Sequence, residues 1–167
     1  KLWSVETGNL VKSFEGHEGT VWSAVFSKDE TLVLTASGDN TAKLWSVETG
    51  NLVKSFEGHE SEVNTAVFSK DETFVLTASD DTTAKLWSVE TGNLVKSFEG
   101  HEGTVWSAVF SKDETFVLTA SGDNTAKLWS VETGNLVKSF EGHERTVWSA
   151  VFSKDETLVL TASDDTT

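Results

Sequence analysis

The chain has 167 residues, 37% hydrophobic and 24% charged, with 27 acidic residues against 13 basic ones and a net charge of −14. That balance repels a phosphate backbone, and no apolar run approaches the ~20 residues of a membrane-spanning helix, so neither nucleic acid nor a membrane is an expected partner. There is no Cys for a disulfide, a thiolate metal ligand or a nucleophile, no Met, and no apolar signal-peptide segment, so a cytoplasmic location is expected and the 167 residues are read as a piece of a longer chain.

The first eight residues, KLWSVETG (1–8), return at 43–50, 85–92 and 127–134, a constant period of 42. The repeats are therefore 1–42, 43–84, 85–126 and 127–167, the last with 41 residues. Taken in order, the first repeat contains four short runs: NLVKSF (9–14), TVWSAVF (20–26), TLVLTAS (31–37) and, crossing into the next repeat, TAKLWSV (41–47). Each is rich in Val, Leu, Thr, Phe or Trp and is bounded by turn chemistry (ETGN, EGHEG, SKDE, SGDN), which predicts strands. No separation leaves room for a helix of ten or more residues at 3.6 periodicity. Four strands per 42 residues is the count for one blade of a β-propeller. Runs such as VWSAVF and LVLTAS are apolar or small at consecutive positions, as in strands covered on both faces by neighbouring blades.

Each repeat also holds a His, a Ser and an Asp that read like the parts of a hydrolase triad: His17, Ser37 and Asp39, then His59, Ser79 and Asp81, His101, Ser121 and Asp123, and His143, Ser163 and Asp165. A catalytic triad occurs once, beside a pocket and an oxyanion hole, whereas four copies point to scaffolding. The His residues lie in different repeats without Cys or short His-x-His spacing, so no metal site is expected. Asp80-Asp81 and Asp164-Asp165 lack the alternating acidic run of a calcium loop. No Asn-x-Ser/Thr sequon and no Gly-rich phosphate loop is present. The expectation is a protein without catalytic residues or cofactors.

The pair Gly16-His17 recurs in every repeat, and the run SGDNTAKLW (37–45), ending in Trp45, returns at the same spacing with changes only at its second and fourth residues, as far as the fourth repeat extends. On these residues the chain resembles the WD-repeat β-propeller family over its whole length. It departs from the family pattern where Ser4, Ser46, Ser88 and Ser130 replace the Asp of Trp-Asp, and where Lys28 replaces the usual turn Pro. The resemblance implies an all-β propeller in which His, Ser, Asp and Trp form a hydrogen-bonded structural tetrad in each blade. Three tetrads would end in Trp45, Trp87 and Trp129, and the fourth would borrow Trp3. It also implies that the Gly-His pair precedes the innermost strand and that Trp lies on the third. Whole blades then span 20–57, 62–99 and 104–141, with strands one and two of a shared blade at 146–163 and strands three and four at 1–15. A two-stranded sheet is marginal and has an open edge. Head-to-tail exchange between two chains, closing an eight-bladed ring with itself as partner, is the expected solution, and a four-bladed monomer is the alternative.

The repeats differ at seven of 42 positions: 19, 20, 22, 23, 32, 38 and 40 in first-repeat numbering. Leu32 and Leu158 against Phe74 and Phe116 read as core drift. The resemblance places most of the other positions on the top face, beside the central channel. There Thr20, Trp22 and Gly38 become Glu62, Asn64 and Asp80, then Thr104, Trp106 and Gly122, and in the fourth repeat Arg145, Thr146, Trp148 and Asp164. Trp22, Trp106 and Trp148 are either partner anchors at the channel mouth or ordinary inner-strand packing. Two function classes follow. One is a platform for a peptide or protein segment, basic given the charge. The other, favoured by the near-identity of the repeats, is a structural scaffold of designed or recently amplified units with no selected ligand.

Overall fold

The structure is a computed structural model that describes residues 1–166. Sixteen strands follow one another among these residues. They are β1 (Leu2–Trp3), β2 (Leu10–Lys12), β3 (Val21–Phe26), β4 (Leu32–Ser37), β5 (Ala42–Ser46), β6 (Leu52–Phe56), β7 (Val63–Phe68) and β8 (Phe74–Ser79). β9 (Ala84–Ser88), β10 (Leu94–Phe98), β11 (Val105–Phe110), β12 (Phe116–Ser121), β13 (Ala126–Ser130), β14 (Leu136–Phe140), β15 (Val147–Phe152) and β16 (Val159–Ser163) complete the series. All pair antiparallel with their sequence neighbours, giving three four-stranded sheets, β3–β6, β7–β10 and β11–β14. Two-stranded sheets, β1–β2 and β15–β16, flank them and do not pair with each other.

The turns explain why the strands are so short. In SKDE, the Asp29 carboxylate accepts from Ser27 Oγ (2.8 Å), Thr31 N–H (3.1 Å) and Thr31 Oγ (2.8 Å), which folds the chain back between β3 and β4. Those bonds, led by the Thr31 N–H, hold the Asp29 carboxyl below its ordinary value. The inner strand of each blade opens with a register shift, between Val21 and Ser23 in the first, so that Trp22 occupies a β-bulge.

The core lies between sheets. Leu34, Ala36, Ala42, Leu44 and Phe56 of the first blade pack on Val63, Ala66, Val75 and Trp87 of the second. Leu76, Ala78, Ala84, Leu86 and Phe98 of the second do the same against Val105, Ala108, Val117 and Trp129 of the third. Against β15–β16 only Leu118, Ala120, Ala126, Val147 and Ala150 are fully enclosed, because no third-strand Trp stands opposite. The consecutive apolar positions of β4, β8 and β12 are thus covered on both faces.

At the other end, β1–β2 sits on the first blade as an outer half-blade does. Phe14 lies 6.1 Å from Trp45 between ring centroids, close to the 6.2 Å of Phe56–Trp87 and of Phe98–Trp129. Beside β1–β2, the face of the first blade bears a cavity of about 330 Å³ lined by Leu2, Trp3, Phe14, His17, Val21, Ala24, Val33, Thr35 and Trp45.

Phe98→Ala, which empties a fully buried site between two blades, is expected to lower stability by about 3–5 kcal/mol. Val95→Ala on the exposed rim should stay within about 0.5 kcal/mol. Urea denaturation followed by near-UV circular dichroism compares the two.

Candidate functional site

The residues with chemical potential fall into two groups, one inside each blade and one on the rim. Inside the first blade a polar relay joins β4, β5 and the turn between them to the loop before β3. Trp45 Nε1–H donates to Thr35 Oγ1 (2.8 Å), Thr35 Oγ1 lies 2.7 Å from His17 Nε2, and His17 Nδ1 lies 2.7 Å from Asp39 Oδ2. A neutral imidazole protonated on Nδ1 satisfies every member at once: Trp donates to Thr, Thr to His, and His to Asp. Asp39 is held further by Thr41 Oγ (2.6 Å), Thr41 N–H (3.1 Å) and Glu18 N–H (3.0 Å). The same geometry recurs with His59, Thr77, Asp81 and Trp87, and with His101, Thr119, Asp123 and Trp129.

The bridging hydroxyl therefore belongs to Thr35, Thr77 and Thr119, and not to Ser37, Ser79 and Ser121 as the sequence reading had it. The serines sit two residues further along the strand, at its end, where the turn takes their hydroxyls. Ser37 Oγ accepts the Asp39 N–H at 3.2 Å, Ser79 Oγ donates to the Ser61 carbonyl at 3.2 Å, and Ser121 Oγ donates to the Gly103 carbonyl at 3.0 Å. The Thr-x-Ser spacing in every repeat puts both hydroxyls on one face, so alternation by itself does not choose between them.

In the fourth repeat His143 contacts Asp165 (2.6 Å) and Thr161 (2.7 Å), and Ser163 Oγ donates to the Arg145 carbonyl (3.0 Å). Trp3 is not brought to this group within the chain. It is 56% exposed, against 1% for Trp45, Trp87 and Trp129. Gly16 packs on Trp45, with a Cβ position 3.3 Å from the indole, whereas nothing lies within 4 Å of the equivalent point on Gly142.

Burial pushes the His17 and His101 imidazoles down more than the neighbouring Asp39 and Asp123 carboxylates push them up, so both lie below the ordinary value. Burial by itself would raise the Asp39, Asp81 and Asp123 carboxyls. The hydrogen bonds from Thr, His and backbone N–H outweigh it and hold all three well below the usual carboxylate range. A neutral His fixed between a carboxylate and a Thr hydroxyl that also accepts the indole N–H, repeated from blade to blade, ties the loop to the strands, so the arrangement is a clamp.

The rim group surrounds the bulges. Trp22 Nε1–H donates to Glu62 Oε2 of the next blade (2.9 Å), and Trp148 Nε1–H to Asp164 Oδ1 (2.7 Å). Asn64 is also matched: its Nδ2 donates to Asp80 Oδ1 (2.8 Å) and to the Val105 carbonyl of the next blade (3.1 Å), a compensation the sequence reading missed. Gly38 and Gly122 lie where a Cβ would stand 3.4 and 3.5 Å from the indole nitrogens of Trp22 and Trp106. Thr20, Glu62, Thr104 and Thr146 carbonyls accept the N–H of Gly38, Asp80, Gly122 and Asp164 at 2.7–3.1 Å, tying the two variable turns together. Trp106 and Trp148 pack with ring centroids 4.7 Å apart, and the buried Trp106 Nε1–H has no acceptor among the described residues.

A family profile described as WD domain, G-beta repeat, matches residues 8–46, 50–88, 92–130 and 134–167. The chain belongs to the WD-repeat family. WD repeats build scaffold and interaction domains. Single repeats are similar to stretches of the human WD repeat-containing protein 37 (54% identical over 41 residues), the Caenorhabditis elegans eukaryotic translation initiation factor 3 subunit I (45% over 42) and the human angio-associated migratory cell protein (42% over 43). Each match covers 25–26% of this chain and only 8–13% of the relative. Among the described residues no group of three or more His, Asp or Glu is placed to hold a metal ion.

Thr77→Val should cost about 1–3 kcal/mol for each partner left unpaired, His59 and Trp87, while Ser79→Ala costs less; chemical denaturation of the two variants decides between the hydroxyls. The pH dependence has a defined sign. Because His17 and His101 lie below their ordinary 6.5 when folded, the unfolded chain binds more protons just below that value, so stability is complete above it and declines as the pH falls. The depressed Asp39, Asp81 and Asp123 add a second decline below the ordinary 3.8. Denaturant midpoints recorded from pH 8 to pH 3 should fall monotonically, and a maximum near pH 5 would contradict the assignment.

Proposed function

We propose that the chain is a non-enzymatic structural scaffold that completes itself by exchanging half-blades with a second copy. β15–β16 of one copy supply the inner strands and β1–β2 of the other the outer strands, at two seams, forming an eight-bladed ring with two-fold symmetry. One observation carries the reading: the cavity on the first blade faces outward while the side chain suited to it lies bare on β16. Leu34, Leu76 and Leu118 are 0–1% exposed between blades, whereas their equivalent Leu160 is 72% exposed. At each complete junction that leucine packs beside the Phe and Trp that here line the cavity as Phe14 and Trp45. Docking would also bring Trp3 against Gly142 and the His143–Thr161 pair, completing the fourth relay. The near-identity of the repeats favours designed or recently amplified units, because it makes the exchanged seam equivalent to every internal junction.

A second reading, a platform for a basic peptide or protein segment, is favoured by the rim. Trp22 and Trp148 are 53% and 42% exposed, Trp106 and Trp148 are paired, and Glu62 and Asp164 accept the indole N–H of Trp22 and Trp148. Exposed aromatics next to carboxylates suit a cationic side chain.

Light scattering should give a molar mass twice the 18.2 kDa of one chain, stable to dilution, and Leu160→Asp should return it to that of one chain. A mass of 18.2 kDa at every concentration would refute the shared seam. For the rim, an Arg- and Lys-rich peptide should quench Trp fluorescence saturably, with loss of the effect in the Trp106→Ala, Trp148→Ala double variant; linear quenching would end that reading.

A further inference from the structure

The SKDE turns carry a glutamate in a conformation that side chains rarely adopt. Glu30, Glu72, Glu114 and Glu156 have φ of 60°, 61°, 60° and 58°, in the left-handed region that favours glycine. All four repeats keep Glu there, so its side chain offsets a backbone cost. In three junctions the compensation is visible. Glu72 Oε1 accepts the Lys28 N–H of the preceding blade, Glu114 that of Lys70, and Glu156 that of Lys112. The donor exists because this turn position is Lys and not Pro. The result is a row of carboxylate latches running from blade to blade, each linking residues 44 apart in sequence.

Two members of the row are unmatched. The Glu30 carboxylate meets no donor, and the Lys154 N–H no acceptor, among the described residues. A second series of contacts breaks off at the same two ends. Lys12, Lys54 and Lys96 Nζ donate to the carbonyls of Glu48, Glu90 and Glu132 at 2.8–3.0 Å. The same three lysines pack within 3 Å of a Cβ built on Gly50, Gly92 and Gly134, while Gly8 has nothing within 4 Å and Lys138 no acceptor.

Resting on the shared-seam reading, we infer that Glu30 is a docking residue for a second copy of this chain, its carboxylate accepting the Lys154 N–H of that copy. The Lys138 ammonium of one copy meets the Glu6 carbonyl of the other at the same seam. The partner is thus fixed in register as well as in kind. Each latch joins a carboxylate to a backbone donor present only in an SKDE turn of the same geometry, and a slip along the strands would miss it. Because the donor is a backbone amide, the contact is made without placing a further charge on two copies that are each strongly acidic.

The test compares the full chain with Glu30→Gly, Glu30→Gln and Glu72→Gly by sedimentation equilibrium, with near-UV circular dichroism as a check on folding. Glu30→Gly should raise the dimer dissociation constant about tenfold or more, as expected for losing a charge-assisted hydrogen bond at each seam. Glu30→Gln, which keeps an acceptor, should lie between it and the parent. Glu72→Gly should lower the denaturant midpoint and leave the dissociation constant within about twofold of the parent, since its latch is internal. A parent chain that dimerises with the same constant as Glu30→Gly would overturn the latch alone. A parent chain that is monomeric throughout would overturn the shared seam and the latch with it.

Discussion

A single constraint governs this molecule: a four-stranded blade is apolar on both faces and cannot exist without a neighbour on each. Leu34, Phe56, Val75 and Trp87 are buried because two sheets meet, and within one sheet they would be exposed. Local features serve that contact. The Asp29 turn keeps strands five or six residues long, matching the height of the adjoining face. The bulge at Trp22 turns the start of the inner strand towards the rim, where Trp22 reaches Glu62 of the next blade outside the apolar contact.

Within each blade the Trp-Thr-His-Asp relay supplies what apolar packing cannot, a fixed relation between the loop before the inner strand and the two strands behind it. Its polarity runs one way, from indole to carboxylate. The positive φ of Gly16 (139°) lets the loop approach the Trp45 ring, whose face it covers. The relay is therefore both a polar network and the lid of an aromatic pocket. Carboxylates recur in this part because they accept several donors at once: Asp39 serves a ring nitrogen, a hydroxyl and two backbone amides.

The sequence made the strands, the blades and the all-β class legible, because the 42-residue period repeats every turn signal four times and leaves no helical stretch. The sequence reading grouped His17, Asp39 and Trp45 with Ser37, and the relay runs through Thr35. Alternation along β4 allows either hydroxyl to face the imidazole, and only the reach of the Trp45 indole nitrogen across to Thr35 separates them. Asn64 was harder. Its match with Asp80 joins two turns sixteen residues apart, so the exchange of Trp for Asn appears as a loss until the facing turn is seen to change with it. Glu72 was invisible as a contact, since its acceptor role depends on a left-handed backbone and on a turn in another blade.

The equivalence of the junctions has a genetic consequence. A DNA segment encoding 42 residues of near-identical sequence is a substrate for unequal crossing-over, which gains or loses whole units. In most folds such an event tears the core. Here an inserted unit brings its own relay, its own turn and both halves of each inter-blade contact, so the recombinant differs from its parent in blade number and in little else. The architecture thus converts a whole-unit gain or loss into a change in the number of blades, with every internal junction left as it was.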